Sequence, residues 1–235
     1  MGTGTGRWAK LRQVVIATTD HDGDLRSVRD AFGLGEGFAD DELAELSLAD
    51  ATLAVSAERY LEFVSPTGEG ALARWLAKIG GRGGYVLSVQ HPDPDGVRAR
   101  ALEAGIGIPI DQKAFGHTIL QLHPRDLGLV LEVDGIDDPA VWFWDDIDPG
   151  PEPGAGVDEV LGVEVPVADP ESMVRLWVDL LELAAPESPD ELDLGGAFVR
   201  FVAGGPSPAW TVHLRRSPGH TVSAPDLPGI AFELV

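Results

Sequence analysis

The chain repeats one pattern of apolar and polar residues, and this repeat restricts the fold more than any other feature. Residues 11–17 form an apolar run typical of a strand, and a helix that ends at Gly33 follows it, with Asp22 or Asp24 as its predicted cap. Further strands are predicted at 45–56 and 60–64. The first part of the chain is therefore predicted to be a unit in which one helix covers a small sheet.

The pattern then begins again. A connecting helix with apolar residues at Leu72, Trp75, Leu76 and Ile79 ends at the glycine-rich run 80–84. The second copy is predicted as a strand at 85–90, a helix at 95–104, and strands at 117–123 and 128–133. A third and shorter copy has a strand at 160–167, a helix capped by Asp169, and strands at 197–202, 210–214 and 230–235. Such units predict an α+β fold in which helices lie on one face of mostly antiparallel sheets.

One boundary is predicted from composition. Residues 145–159 include the run Asp-Pro-Gly-Pro-Glu-Pro-Gly, which is typical of a linker. The predicted organisation is a two-module domain at 1–144, a linker at 145–159 and a degenerate module at 160–235.

Charge and composition exclude several kinds of partner. The chain has 17 Lys and Arg against 39 Asp and Glu, a formal net charge of −22, which repels nucleic acid and anionic membranes. It has no cysteine, and its N-terminus lacks the basic and apolar regions of a signal peptide. We therefore expect a cytoplasmic protein without a membrane span, in which any metal is bound by His, Asp, Glu, Gln or Tyr.

Three strand motifs resemble a known superfamily. Residues 13–17 (QVVIA), 60–66 (YLEFVSP) and 128–133 (GLVLEV) are similar to the first strand and the two closing strands of the vicinal oxygen chelate superfamily. That superfamily includes glyoxalase I, methylmalonyl-CoA epimerase, extradiol dioxygenases and bleomycin resistance proteins. The resemblance implies paired βαβββ modules that form a cupped half-barrel sheet.

The resemblance also implies a metal site. In the superfamily, the first and closing strands of two modules each supply one ligand to a divalent ion, and the matching positions here are Gln13, Glu62 and Glu132. No histidine matches the fourth position, where Tyr85 is the one conceivable donor. Such a site is expected to bind Zn, Ni, Fe, Mn or Mg. In the third module, Gly162 and Arg200 replace the expected ligands, although Glu233 matches a closing position.

The alternation of each strand offers a simpler explanation of these residues. Glu62 and Glu132 each lie between apolar neighbours, as the solvent-facing residues of a half-buried strand do. His117 and His123 share a strand face with Gln121, where either could shuttle a proton or replace the missing ligand, or could simply lie at the rim. The aromatic residues at 142–144 either pack protein segments together or form the floor of a ligand cavity.

Three functions remain open from the sequence. The first is a metal-assisted enzyme that acts on a small molecule with vicinal oxygens, either a lyase or isomerase of glyoxalase type or an enzyme with dioxygenase-type chemistry. Glu62 or Glu132 would be its base, with His117 or His123 assisting. The second is a metal-free protein that binds and sequesters a drug or metabolite. The third is an interaction scaffold whose last module covers a sheet edge. The resemblance leaves open a homodimer, or a third module that replaces the second subunit.

Overall fold

The computed structural model describes residues 7–143, 155–205 and 207–235. The first module contains five elements in chain order: β1 (Lys10–Thr18), α1 (His21–Phe32), α2 (Asp41–Glu45), β2 (Leu48–Ala54) and β3 (Tyr60–Pro66). Helix α1 begins after Asp20, whose side chain accepts a hydrogen bond from the Gly23 backbone N–H, and ends at Gly33 with a positive φ of 68°. The cap is therefore Asp20, and the prediction of Asp22 or Asp24 is wrong.

The second module follows a connecting helix, α3 (Ala71–Ile79). Its elements are β4 (Arg82–His91), α4 (Pro94–Glu103), β5 (Ile110–Ala114), β6 (His117–Leu122), α5 (Pro124–Leu127) and β7 (Val130–Gly135). The C-terminal elements are β8 (Val157–Val167), α6 (Pro170–Leu181), β9 (Glu191–Asp193), β10 (Phe198–Ala203), β11 (Trp210–Arg216) and β12 (Ile230–Leu234). The predicted cap of α6 is confirmed, since Asp169 accepts a hydrogen bond from the Ser172 backbone N–H.

The strands form two sheets, which confirms the predicted α+β fold of repeated modules. The seven-stranded sheet has the order β2-β3-β1-β4-β7-β6-β5, and the five-stranded sheet has the order β12-β11-β8-β10-β9. Both sheets are mixed. The first and closing strands pair in parallel, β1 with β3, β4 with β7 and β11 with β12, while β2–β3, β5–β6, β6–β7 and β9–β10 are antiparallel. The sequence assigns β11 and β12 to the third module, and in the structure these two strands pair as the first and closing strands of a module do.

The described residues divide into two compact units. One contains residues 13–85, 155–163 and 208–235 and is called here the Gln13 unit. The other contains residues 7–12, 86–143, 164–205 and 207 and is called the Glu132 unit. The predicted linker at 145–159 lies largely outside the described residues, and β8 begins at Val157, so the division at 145–159 stays a prediction. Among the described residues, no helix is long and apolar enough to cross a membrane.

Each unit has an apolar core against one face of its strands. In the Glu132 unit, alternate residues of β4, β6 and β7 are fully buried, namely Leu87, Val89, Leu120, Leu122, Leu131 and Val133, and Val97 and Ala101 of α4 are buried as well. The opposite faces of these strands carry the polar side chains, as the two-residue period of a strand requires. Of the candidate functional residues, Glu132 and His117 lie on these polar faces.

Candidate functional site

Gln13 and Glu62 meet in the Gln13 unit, as the resemblance implies. The two residues lie on the parallel strands β1 and β3, and the Gln13 Nε2 atom donates a 2.8 Å hydrogen bond to Glu62 Oε2. Gln13 is 5% exposed and Glu62 is 9% exposed. Glu62 is therefore not a solvent-facing residue of an alternating strand, and an amide donor holds its carboxylate.

Asp50 is a third buried polar residue of this unit, and the sequence pattern does not single it out. It lies on β2, opposite Val64, and is 7% exposed. Burial raises its pKa to about 6 from the usual 3.8, while the backbone N–H of Asp40 and the charge of His21 act to lower it. An acidic residue inside an otherwise apolar strand was the signal that could have identified it.

Replacing Asp50 with asparagine is expected to change the pH dependence of stability. Because the folded-state pKa of Asp50 is raised, the folded protein binds the proton more tightly than the unfolded chain, so stability falls as pH rises from about 4 to about 6. Asp50→Asn removes this loss and should raise the free energy of unfolding by about 2 kcal/mol more at pH 8 than at pH 4. Urea denaturation at the two pH values measures the difference, and an effect independent of pH would contradict the assignment.

Glu132 lies in the Glu132 unit within a separate polar group. It is half-buried on β7, directly opposite Ser88 of β4 and Gln121 of β6, and its Oε2 atom accepts a 2.7 Å hydrogen bond from Gln121 Nε2. Burial raises the pKa of Glu132, whereas the hydrogen bonds of Gln121 and Ser88 act to lower it. The Ser88 hydroxyl donates its proton to Asp134 Oδ2 at 2.5 Å. The side chains of Glu132, Gln121, Ser88 and Asp134 therefore lie together and are called the Glu132 group.

The two predicted histidines have different surroundings. His117 is half-buried on β6, on the same face as Gln121, and its ring centroid lies 5.5 Å from that of Phe143. His123 follows the end of β6 and caps α5, where its Nδ1 atom accepts a hydrogen bond from the Arg125 backbone N–H at 3.1 Å. His117 thus shares a face with the Glu132 group, and His123 has a capping contact.

Ser88, rather than Tyr85, lies next to Glu132 on β4. Tyr85 is an odd number of residues from Ser88 and so points to the other face of the strand, where its ring packs 5.5 Å from that of Trp75. Strand register places Ser88 opposite Glu132, and register was not available from the sequence.

A buried group that the sequence pattern does not reveal supports the loop after β7. The Arg12 guanidinium donates to Gln90 Oε1 and to the Pro139 carbonyl at 3.0 Å, and it lies 5.2 Å from the ring centroid of Trp142. The Gln90 amide donates to the carbonyls of Ile136, Asp138 and Val141. Both polar side chains lie in the interior, so together they fix the loop that leads to Trp142.

The degenerate positions of the last module carry ion pairs. Arg200 donates to Glu164 and to Glu191, each at 2.8 Å, on neighbouring strands of the Glu132 unit. In the Gln13 unit, Glu233 of β12 lies opposite His213 of β11, with 3.6 Å between Oε2 and Nδ1. A cation paired with two carboxylates is a structural contact, consistent with the prediction that Arg200 replaces a metal ligand.

The described side chains do not fit a metal ion as they are arranged. Within residues 7–143, 155–205 and 207–235, no group of three or more His, Cys, Asp or Glu residues could hold one. Each predicted carboxylate instead accepts a hydrogen bond from an amide N–H group, Glu62 from Gln13 and Glu132 from Gln121. In each pair an amide N–H group faces the carboxylate, and this arrangement differs from the ligand set that the resemblance implies.

No family model matches the chain, and no curated protein matches it. Several solved structures are similar to about half of the chain. A methylmalonyl-CoA epimerase in complex with methylmalonyl-CoA and NH4+ is 23% identical, with a TM-score of 0.47, over 54% of this chain and 94% of that one. The enzyme from Streptomyces coelicolor is 24% identical over 53% and 92%, with a TM-score of 0.47. The enzyme from Mycobacterium tuberculosis is 24% identical over 57% and 91%, with a TM-score of 0.45. These identities are too low to transfer an activity. The resemblance to the vicinal oxygen chelate superfamily therefore concerns the fold alone.

Proposed function

We propose that this chain binds a small organic molecule beside the half-buried Glu132 of β7 and Gln121 of β6, and that Glu132 exchanges a proton with that molecule. The observation that carries the proposal is the half-buried Glu132 carboxyl, fixed by Gln121 at 2.7 Å and with a raised pKa. A carboxyl group in such a position, on a strand face with other polar side chains, is a typical acid–base group.

The chemistry follows from the environment of this carboxyl. A raised pKa brings the protonated and ionised forms closer in population near neutral pH, and it makes the ionised form a stronger base. Gln121 holds one carboxyl oxygen in place, so the group is oriented before the ligand arrives. These properties suit proton transfer at a carbon next to a carbonyl, which is the chemistry of substrates with two vicinal oxygens.

Deuterium exchange tests this proposal without the natural substrate. Hydroxyacetone in heavy water offers a carbon acid beside a carbonyl, and proton NMR measures the loss of its CH signals. The wild type should accelerate exchange over buffer, and Glu132→Gln should remove about 90% or more of that acceleration, because general base catalysis typically contributes about 100-fold or more. Glu103→Gln, a change on helix α4, is the matched control. Equal rates in wild type and Glu132→Gln would overturn the proposal.

A metal-assisted lyase or isomerase is the second candidate, because Gln13 and Glu62 meet in the protein interior, and it requires that an ion replace the hydrogen bond between them. It also requires that about one divalent ion per chain is retained and that this retention depends on Glu62 and on Glu132, as the resemblance implies. Elemental analysis of the wild type, Glu62→Ala and Glu132→Ala distinguishes the two. An ion present in the wild type and lost in both variants would support the metal enzyme. A metal-free wild type that binds its ligand equally well with chelator would support the drug- or metabolite-binding alternative.

A further inference from the structure

A cavity of about 690 Å³ lies in the Glu132 unit, lined by the chain that leads into β1, by the loop after α6, and by β9 with the turn that follows it. Its lining includes the half-buried Trp8, and it is called here the Trp8 cavity. Ala9 and Leu192 are buried apolar residues of the lining, and Leu183 and Pro186 are half-buried ones. A cavity of this volume is typical of sites for organic molecules of drug size, and none of the described residues that line it belongs to the Glu132 group.

The loop after α6 is held at both of its ends. The Arg7 backbone N–H donates a 2.9 Å hydrogen bond to the Glu182 carbonyl, where α6 ends. The Phe201 backbone N–H donates a 2.8 Å hydrogen bond to the Asp190 carbonyl, just before β9 begins. This wall of the Trp8 cavity is therefore in position before a ligand arrives, so little conformational freedom is lost on binding.

The lining of the Trp8 cavity is predominantly acidic. The one basic residue of its described lining, Arg7, already forms ion pairs with Glu182 at 2.8 Å and with Asp93 at 3.1 Å. The acidic residues of the lining are Glu187, Glu191 and Asp193. Because the charge of Arg7 is compensated and the whole chain carries a net charge of −22, the cavity attracts a cation and repels an anion.

Glu187 and Trp8 are the two residues of the lining that can recognise a cation. Glu191 is paired with Arg200 at 2.6 Å, but the exposed Glu187 forms no hydrogen bond or ion pair with any residue that the structure describes. The Trp8 ring likewise has no ring contact and no hydrogen bond within residues 7–143, 155–205 and 207–235. An indole face attracts a cation through its electron-rich surface, and a carboxylate nearby supplies the compensating charge.

We infer that the Trp8 cavity binds a bulky organic cation, an ammonium group with apolar substituents, with the ammonium group on the face of Trp8 and Glu187 as its counter-charge. The apolar residues of the lining favour the substituents, and the acidic ones exclude a carboxylate or phosphate in place of the ammonium group. The site shares no residue with the Glu132 group, so the inference goes beyond the proposed function and adds a second ligand class.

Butyrylcholine is the probe, and the matched comparison is its uncharged analogue, in which a tert-butyl group replaces the trimethylammonium group. The two esters have nearly the same shape and differ in charge. Calorimetry should show that butyrylcholine binds the wild-type protein at least about tenfold more tightly, because the indole face and the carboxylate attract only the charged ester. Equal affinities for the two esters, or no binding of butyrylcholine at millimolar concentration, would overturn the inference.

Trp8→Leu and Glu187→Gln locate the bound cation. Leucine keeps an apolar side chain in the lining but removes the ring, so the affinity for butyrylcholine should fall about tenfold, while that for the uncharged ester should change less than about twofold. Glu187→Gln changes an exposed side chain, so it should unfold at the wild-type temperature and bind butyrylcholine about threefold or more weakly.

Glu103→Gln is the matched control for Glu187→Gln, because Glu103 is likewise an exposed acidic residue, on α4. Its affinity for butyrylcholine should equal that of the wild type. Wild-type affinity in a folded Trp8→Leu variant or in Glu187→Gln would contradict the inference. An equal loss in Glu103→Gln would assign the binding to the overall negative charge of the chain and would contradict it as well.

Two other occupants of the Trp8 cavity predict different results. If the wild-type protein is a dimer that becomes a monomer in Trp8→Leu, measured by sedimentation, the cavity belongs to a subunit interface. If butyrylcholine binds only after deletion of residues 1–6, the chain's own N-terminal segment fills the cavity. Either result would overturn the inference.

Discussion

Replacing Gly84 with alanine is expected to lower the free energy of unfolding by at least about 3 kcal/mol. Gly84 is buried in β4 of the Gln13 unit, and a Cβ atom at this position would overlap with the indole ring of Trp210. Trp210 is itself fully buried at the start of β11, so the indole has no space into which it can move. The methyl group must therefore displace either the strand or the ring.

Urea denaturation of Gly84→Ala, with Gly70→Ala as the control variant, tests this account of Gly84. Gly70 has extended backbone at the N-cap of α3, and a Cβ atom added there would meet nothing within 4 Å, so its alanine variant should lose only the N-cap preference for glycine, about 1 kcal/mol. The double variant Gly84→Ala/Trp210→Leu should be less destabilised than the sum of its single changes, because the two side chains compete for one space. A near-neutral Gly84→Ala would show that Trp210 does not pack on this strand.

Replacing Arg12 with methionine is expected to cost about 3 kcal/mol of stability. Methionine keeps much of the aliphatic volume but removes the hydrogen bonds to Gln90 Oε1 and the Pro139 carbonyl. Gln90 Oε1 is a buried acceptor, and leaving it without its donor costs about 1–3 kcal/mol, while the contact with Trp142 is lost as well. The Pro139 carbonyl is exposed and keeps its hydrogen bond from Lys10. Arg12 and Gln90 together hold the loop after β7, and urea denaturation of Arg12→Met beside the wild type measures what this contact contributes to stability.

Lys10→Met is the matched control for Arg12→Met. Lys10 donates to the same Pro139 carbonyl at 2.9 Å, but from an exposed position where water can replace it. Its loss should therefore change the free energy of unfolding by about 0.5 kcal/mol or less. Similar destabilisation in the two variants would mean that burial of Arg12 does not support the loop.

The sequence predicts the elements with strong apolar patterns and misses those without them. Strand β1, helix α3 and helix α6 have apolar stripes and clear ends, and all three are observed. Strand β5 was missed because its central residues are polar and exposed, and β9 because it has only three residues. The cap of α1 was placed wrongly because three aspartates lie close together, and Asp24 is instead buried against Thr18 and Arg82.

The site could be predicted only as far as the strand motifs reach. The contact of Gln13 with Glu62 follows from the resemblance, since both positions belong to its motifs. The placement of Ser88 opposite Glu132 depends on strand register, and the Arg12–Gln90 pair joins residues far apart in the chain. The glycines at 83 and 84 are typical of a turn in sequence, yet they lie within β4 because Pro208 and Trp210 pack on them.

The titration of Glu132, followed by carboxyl carbon NMR, tests the central claim most directly. The wild type should show one glutamate whose pKa is raised above the usual 4.5, and Glu132→Gln should remove that signal. In Gln121→Leu the pKa of Glu132 should rise further, because the lost hydrogen bond stabilises the ionised form, whereas Gln112→Leu on the exposed part of β5 should not change it. If Glu132 titrates at the usual pKa of a glutamate in the wild type, and its pKa is the same in Gln121→Leu, the account is contradicted.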